Sequence, residues 1–440
     1  MRLDHLAGAR VAVWGAGREG RAAVEALPPD AALTIVDDRP DSEAVRALAS
    51  ARRASVRRPA ELLDGPGVDL VVRSAGVSVH GPVMRALIAA GVPVTSLLDL
   101  WLRHGAPATV VAITGTKGKS TTSLLVHGLL EAAGVRAGLA GNIGVPVSQM
   151  PACDVAVVEV SSYQAADLTR SPTIGVLTNL GVDHLPWHDG RVEQYWTDKL
   201  NLFAHDGLRT LLLGVDELPA PVPVEPARCR WPREADLVVR GGVLERSATP
   251  LVDLRDTPLA PDHLAGNLAL AGRAAEAALG RPLTEDECAV AVAAFRLPPG
   301  RLEVVAERDG VRWVNDVLAS NPFAAAASLR AHADRPVLLV AGGDDRSVEP
   351  DELIAAIAAH GRVRAVYAMG PAGRRWQAAL AEVAEVSVLD DDDVAAAAAM
   401  AGARARSGDV VLFAPGAPTT PAVGDWEVRG AAFRAAAHRR

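Results

Sequence analysis

"TVVAITGTKGKSTTSLLVHGLLEAAG", residues 109–134, decides how the middle of this chain folds. An apolar run meets a glycine-rich segment, and a helical stretch follows, which reads as strand, loop and helix. Gly115 and Gly118 let backbone amides turn inward around an anion. The positive N-terminal end of the helix points at the same anion. In such a loop Lys119 reaches terminal phosphates, Ser120 or Thr121 can bind Mg²⁺, and Thr116 and Lys117 complete the cradle. Gly115 lies only three residues before Gly118, so the spacing departs from that of a generic kinase or GTPase.

Working outward, "RVAVWGAGREGRAA" at 10–23 holds a second glycine turn, with Gly15, Gly17 and Gly20. "LTIVDD" then places Asp37 about twenty residues on, which taken alone is a dinucleotide-binding fingerprint and fits an NAD-dependent oxidoreductase. "RVAVWG", "ALTIVDD", "DLVVRSAG" and "VPVTSL" read as strands, with helices between them, and imply a small parallel sheet. "RHGAPAT", 103–109, reads as a linker. Beyond the central loop, "DVAVVEVSS" and "IGVLTNLG" read as further buried strands, and the proline-rich 219–232 as an irregular connection or edge. A third region runs from "LPPGRLEVVAERDGVRWVND" through "PVLLVAGGDD", "VRAVYAMG", "EVSVLDDD" and "DVVLFAPG". Its alanine run after 390–393 reads as a helix entered through an acidic turn. The expected class is α/β in three consecutive domains: Rossmann-like over 1–105, P-loop ATPase-like over 106–299, and Rossmann-like over 300–440.

Composition narrows the function classes. The chain of 440 residues is 49% apolar and 22% charged, as a globular protein is. A formal charge of −8 argues against a nucleic-acid binder. No apolar run reaches the roughly eighteen residues of a membrane helix, and the N-terminus lacks a signal-peptide layout. Cys153, Cys229 and Cys288 are scattered, which suits a reducing cytoplasm and offers no metal spacing. Of 45 lysines and arginines only three are lysine: Lys117, Lys119 and Lys199. They are candidates for work arginine cannot do, since lysine is a compact ammonium that can lose its proton and react.

A P-loop enzyme also needs an acidic Mg²⁺ ligand on a neighbouring strand. "VAVVEVSSYQ" offers Glu159, and "TNLGVDHLPWHDG" offers Asp183 and His184. His184 and His188 have the spacing of a zinc pair on a helix, but Pro186 and Gly190 argue against a regular helix there.

"TGTKGKST", "GNIGVP", "EVSSYQ", "DHLPWH" and "DKL", in this order, resemble the Mur ligases of peptidoglycan synthesis. Chain length and "RLEVVAERDGVRWVND" resemble the MurD-type, glutamate-adding members. The resemblance implies ligation of glutamate to UDP-N-acetylmuramoyl-L-alanine through an acyl phosphate, with ATP and two Mg²⁺ ions. It implies that Lys119, Ser120, Glu159, His184 and a carbamylated Lys199 serve catalysis and metal, the last three lining up with family positions. Asn267, Arg301 and Asp316 match ATP-contacting positions, although Leu264 and Leu318 depart from the pattern around them. Gly17, Arg18, Glu19, Asp37, Asp38, Arg39, Ser74, Gly76 and Asn142 match the UDP-substrate site. Ser320, Arg346, Thr419 and Trp426 match the glutamate pocket, with Arg346 in place of the usual lysine.

"WGAGREGRAA", "GTKGKSTT", "GGDDRS" and "APGAPT" look more like a less common branch that adds L-glutamate, the D-glutamate-adding enzyme being the alternative. An oxidoreductase has no use for the phosphate loop with Glu159 and Lys199. A folate polyglutamate synthetase lacks a separate domain ahead of the P-loop, and a non-enzymatic regulator has no need of the retained catalytic set. The expected protein is a cytoplasmic monomer with no nucleic-acid or membrane partner.

Overall fold

Short apolar runs closed by glycine turns become parallel strands here, because helices cover both faces of each sheet and leave nothing for polar alternation. The computed structural model describes residues 3–65 and 67–439, which divide into two units with the break between Phe295 and Arg296.

The first unit contains two parallel sheets. Strands β1 (Arg10–Trp14), β2 (Ala32–Val36), β3 (Ser55–Arg57), β4 (Leu70–Arg73) and β5 (Val94–Ser96) pair in the order β3-β2-β1-β4-β5. The chain steps outward from β1 and returns to its other side at β4, so a crevice opens at the carboxyl ends of β1 and β4. The residues of β3 are largely exposed, and for that reason the apolar pattern did not reveal them. The stretch 103–109 holds the end of a helix, Leu97–His104, before the next strand.

The second sheet comprises β6 (Thr109–Thr114), β7 (Ala137–Gly141), β8 (Val155–Glu159), β9 (Ile174–Leu177), β10 (Thr210–Leu213) and β11 (Cys229–Arg230), in the order β11-β10-β9-β6-β8-β7. Strand β6 is interior and buries Val110, Val111, Ala112 and Ile113. The proline-rich stretch supplies only the short edge β11. A small antiparallel sheet of β12 (Leu237–Arg240), β13 (Val243–Arg246) and β14 (Thr249–Asp253) was not anticipated. Its signal was present: Gly241 and Gly242, both at positive φ, make the tight turn that joins β12 to β13.

The second unit carries β15 (Glu303–Arg308), β16 (Val311–Asn315), β17 (Val337–Gly342), β18 (Val363–Met369), β19 (Val386–Leu389) and β20 (Val410–Gly416). Their order is β15-β16-β20-β17-β18-β19, with only β15 antiparallel. Apolar clusters lie on both faces. The helix Val394–Arg404 follows the acidic run, and Asp393 caps it by accepting from the Ala396 amide at 3.0 Å. Among the described residues, no helix is long and apolar enough to cross a membrane.

Candidate active site

Strand order brings the central site together. β6 delivers the glycine loop, its neighbour β8 ends at Glu159, and its other neighbour β9 leads into Thr178, Asn179 and Asp183. Gly115 sits at φ +147°, and a Cβ there would stand 1.9 Å from Thr178 Oγ1. Gly118, at φ +85°, caps the helix Lys119–Ala132 and faces Asn267, whose Oδ1 would lie 2.8 Å from a Cβ. The loop therefore needs glycine for both conformation and space. The Asn179 side chain braces it, accepting from the Lys117 amide and donating to the Lys117 carbonyl, each at 3.0 Å. Thr116 Oγ1 lies 2.9 Å from the Tyr195 hydroxyl and accepts from the Gly181 amide.

All three lysines meet at this loop. Lys119 Nζ donates to the carbonyls of Gly115 (2.9 Å) and Thr116 (3.2 Å). Lys117 Nζ donates to Asp183 at 3.3 Å. Lys199, from the helix Val192–Leu200, is fully buried; its Nζ donates to the same Gly115 carbonyl at 3.0 Å and sits over the Tyr195 ring. Burial above all, then the charges of Lys119 and Lys117, push the Lys199 ammonium well below the usual lysine range; Asp183 and Glu159 pull the other way. Burial pushes the Asp183 carboxyl up, but Lys117, His184 and Lys119 together outweigh it and hold it at about 2.

Glu159 is 1% exposed. Its Oε1 accepts from Asn142 Nδ2 at 2.6 Å, while Oε2 is buried and has no hydrogen-bond partner among the described residues. A buried carboxylate oxygen left unpaired is costly and calls for a cation. The donor set is hard oxygen plus imidazole, and together with the orphaned oxygen it fits a divalent ion such as Mg²⁺. Ser120 lies in the first helical turn, half-buried. His184 is held at positive φ beside Asp183, 3.7 Å from its carboxylate, with its ring against Tyr163.

His184 and His188 do not form a pair. His188 is completely buried in the short turn Leu185–His188; its Nδ1 lies 2.6 Å from Asp198 Oδ2 and its Nε2 lies 3.0 Å from Ser162 Oγ. His80 Nε2 reaches the same Asp198 oxygen at 2.6 Å. Two nitrogens so close to one oxygen describe hydrogen bonds, because ligands around a single zinc ion stand roughly 3 Å apart or more. Ser162, His188 and Asp198 have the order of a nucleophile triad, but Ser162 and His188 are buried beyond reach of a substrate.

The expected UDP-substrate residues gather at the carboxyl ends of three adjacent strands. Gly17, Arg18 and Glu19 follow β1, Asp37, Asp38 and Arg39 follow β2, and Ser74 and Gly76 follow β4. Asn142 follows β7 in the neighbouring sheet. Asp37 accepts from the Ala16 amide at 3.2 Å, and Ser74 donates to the Gly15 carbonyl at 3.1 Å. Arg18 donates to the carbonyls of Gly141, Asn142 and Gly144. Glu19 accepts from Gln164 and from the Ala75 amide. Arg18 and Glu19 thus join the two parallel sheets of the first unit.

In the second unit, Ser320, Arg346 and Thr419 lie past the carboxyl ends of β16, β17 and β20, three adjacent strands, and Trp426 opens the last helix. Arg346 and Ser320 are exposed. Arg301 pairs with Asp316 at 3.8 Å. Asp316 is buried and accepts from the Leu302 amide and the Ser328 hydroxyl, so the unit itself occupies that carboxylate. A cavity of about 580 Å³ nearby is lined by 390–393, Arg374, Thr420 and Arg429, none of them anticipated. Sequence reasoning also missed Asn179, Tyr195, His80 and Asp198; Asn179, in "TNLG" beside Asp183, and Asp198, in "DKL", carried a local signal.

Comparison with known proteins identifies the family. Residues 113–217 match the model of the Mur ligase middle domain, and 300–416 that of the Mur ligase, glutamate ligase domain. Proteins named UDP-N-acetylmuramoyl-L-alanine--L-glutamate ligase match over the full length. That of a Micromonospora species is 38% identical, covering 98% of this chain and 97% of the relative. That of Xanthomonas axonopodis pv. citri is 36% identical, covering 98% and 96%. Among solved structures, UDP-N-acetylmuramate-alanine ligase MurC of Thermotoga maritima superposes with a TM-score of 0.59 at 14% identity, covering 97% of this chain and 98% of that one. Escherichia coli FolC in complex with ADP gives 0.56 at 20% identity, covering 77% and 91%. At such identities the structures speak for the fold alone, but the relatives settle the family: this chain belongs to the Mur ligases, ATP-dependent ligases that form amide bonds.

Proposed function

We propose that the chain adds L-glutamate to UDP-N-acetylmuramoyl-L-alanine, with ATP cleaved to ADP and phosphate, in cytoplasmic peptidoglycan precursor synthesis. The observation that carries this reading is the convergence on one glycine loop of Lys119, a buried amine at Lys199 and the unpaired Oε2 of Glu159. The names of the full-length relatives support the substrate pair and the L enantiomer.

Residues 115–119 and the helix behind them would cradle the ATP phosphates. Lys119 would exchange its two carbonyl partners for phosphate oxygens. Lys117, tied to Asp183, stiffens the loop. Asn267, which faces Gly118, is proposed for the adenine side and Arg301 of the second unit for the phosphates; Asp316, proposed for the ribose, would have to release Leu302 or Ser328 to reach it. Ser120, Glu159, His184 and a carbamylated Lys199 would hold two Mg²⁺ ions, which when bound neutralise the charges of the triphosphate and the substrate carboxylate. Lys199 suits carbamylation because burial and the neighbouring lysines disfavour its ammonium form, and a lysine that gives up its proton can attack CO₂ and become a carboxylate. The UDP-substrate carboxylate then displaces ADP from the γ-phosphate. The glutamate amine, having lost a proton, displaces phosphate from the acyl phosphate.

The glycine turn at 15–20, with Asp37, Asp38, Arg39, Ser74, Gly76 and Asn142, is proposed to hold the uridine nucleotide. Ser320, Arg346, Thr419 and Trp426 are proposed for glutamate, so functional boundaries fall near 105 and 299. The test is phosphate release from ATP, Mg²⁺ and UDP-N-acetylmuramoyl-L-alanine with either glutamate enantiomer. Turnover with L-glutamate alone is expected. Turnover with D-glutamate alone overturns the enantiomer, and none with either overturns the function.

A further inference from the structure

The loop after β4 carries Ser74 and Gly76, which the proposed function assigns to substrate, and it ends at His80. It is fastened at several points to the sheet that bears the phosphate loop. Arg73, with a fully buried side chain, donates to the Asp167 carboxylate and to the carbonyls of Val77 and Tyr163. Trp187 Nε1 donates to the Gly76 carbonyl at 3.2 Å, and Ser78 Oγ donates to the Trp187 carbonyl at 2.7 Å. His80 Nε2 lies 2.6 Å from Asp198 Oδ2.

Asp198 is where these fastenings meet the chemistry. Its Oδ2 takes both His80 and His188, and its Oδ1 accepts from Gln194 Nε2 at 2.8 Å. It immediately precedes Lys199 in the same helix. His188 closes the turn that follows His184, and its other nitrogen meets Ser162, three residues beyond Glu159. One buried carboxylate therefore joins the substrate loop, the His184 turn, the strand end at Glu159 and the Lys199 helix. Charged and hydrogen-bonded side chains held in one network are rigid and geometrically specific.

We infer that His80 is a positioning residue for ligation: through Asp198 it fixes the substrate loop against the helix that carries Lys199. The inference rests on the proposed function. His188 and Gln194 keep Asp198 in place without His80, so loss of His80 loosens the far end of the substrate loop and spares the phosphate loop.

His80→Ala and His80→Gln test it in the full-length protein, the glutamine amide donating from nearly the same point as imidazole Nε2. His80→Ala is expected to raise KM for UDP-N-acetylmuramoyl-L-alanine about tenfold, with KM for ATP and kcat changed about twofold or less. His80→Gln is expected to restore KM to within about threefold of the parent. A merely structural role would lower the active fraction, and so kcat, while leaving both KM values alone. An unchanged KM, an equal rise in both KM values, or a glutamine variant no better than alanine overturns the inference. Hydrogen exchange without substrates gives a second readout: the amides of Val77 and His80 should exchange about tenfold faster in His80→Ala, while those of the phosphate loop do not. If the parent protein turns over no substrate, the function fails on that result, and exchange still decides whether His80 holds the loop; equal exchange overturns the inference.

Discussion

Replacing Lys199 with methionine separates what this side chain costs from what it does. Methionine keeps an apolar side chain of similar length and gives up the ammonium that stands 4.9 Å from the Tyr195 ring centroid. The lost hydrogen bond orphans nothing, since the Gly115 carbonyl still accepts from Lys119 at 2.9 Å. What disappears is a buried amine facing two other ammonium groups. Exchanging buried charged groups for well-packed apolar ones of similar volume is neutral or gains up to about 4 kcal/mol. At ~2–4 °C per kcal/mol for a large unit, a gain shows as a visibly higher unfolding temperature in carbonate-free buffer, and the variant unfolds no lower than its parent. The pH dependence has a definite sign. Burial and the neighbouring lysines hold the folded-state pKa below the ordinary 10.5, so the unfolded chain binds the extra proton. The cost is fully present at pH values below the folded pKa and is relieved as pH rises toward 10.5, so the gap between variant and parent narrows in alkali. Activity moves the other way. Under the proposed carbamylation of Lys199, the variant loses about 4 kcal/mol of transition-state stabilisation, roughly a thousandfold in kcat. Thermal unfolding across pH and phosphate release with both substrates measure the two effects. A variant less stable than its parent, or one retaining more than about a tenth of its activity, refutes the reasoning.

Glu159→Gln keeps the shape and an oxygen for Asn142 but loses the charge on the unpaired side; Mg²⁺ titration of phosphate release should show a loss of roughly a hundredfold or more. Gly115→Ala puts a Cβ 1.9 Å from Thr178 Oγ1 at a φ of +147°, costing about 1–3 kcal/mol and weakening the binding of a non-hydrolysable ATP analogue in calorimetry. Asp392→Ala strips the partner, 2.9 Å away, from Arg429, which is 1% exposed; denaturant unfolding of the second unit should show a loss of about 3–5 kcal/mol. The Asp183 carboxyl, whose folded pKa is about 2 against an ordinary 3.8, contributes stability above 3.8 that vanishes as pH falls toward 2; Asp183→Asn should lack that part of the acid transition in a pH series of denaturation curves.

What could be read from the chain was what lies close together along it. The strand, glycine loop and helix at 109–134 encode their own geometry, and both Gly115 and Gly118 sit at positive φ where the spacing demanded it. The β12–β13 hairpin was equally local and was overlooked at its Gly241–Gly242 turn. Arg18 is different. Its carbonyl partners lie 123 to 126 positions away, and no pattern near "GREG" announces them; the resemblance alone assigned Arg18, and to the UDP-substrate site. The pairing of His80 with Asp198, 118 positions apart, was hidden for the same reason. Composition reached further than spacing did. A chain that uses arginine for nearly every positive charge has lysine at three positions, and folding brings all three to one loop, two of them to a single carbonyl oxygen. Three planar guanidinium forks could not crowd there, and none could shed its proton as Lys199 is poised to do. The scarcity of lysine therefore marked the site before any contact was known, because the chemistry that excludes arginine acts at one place in the fold.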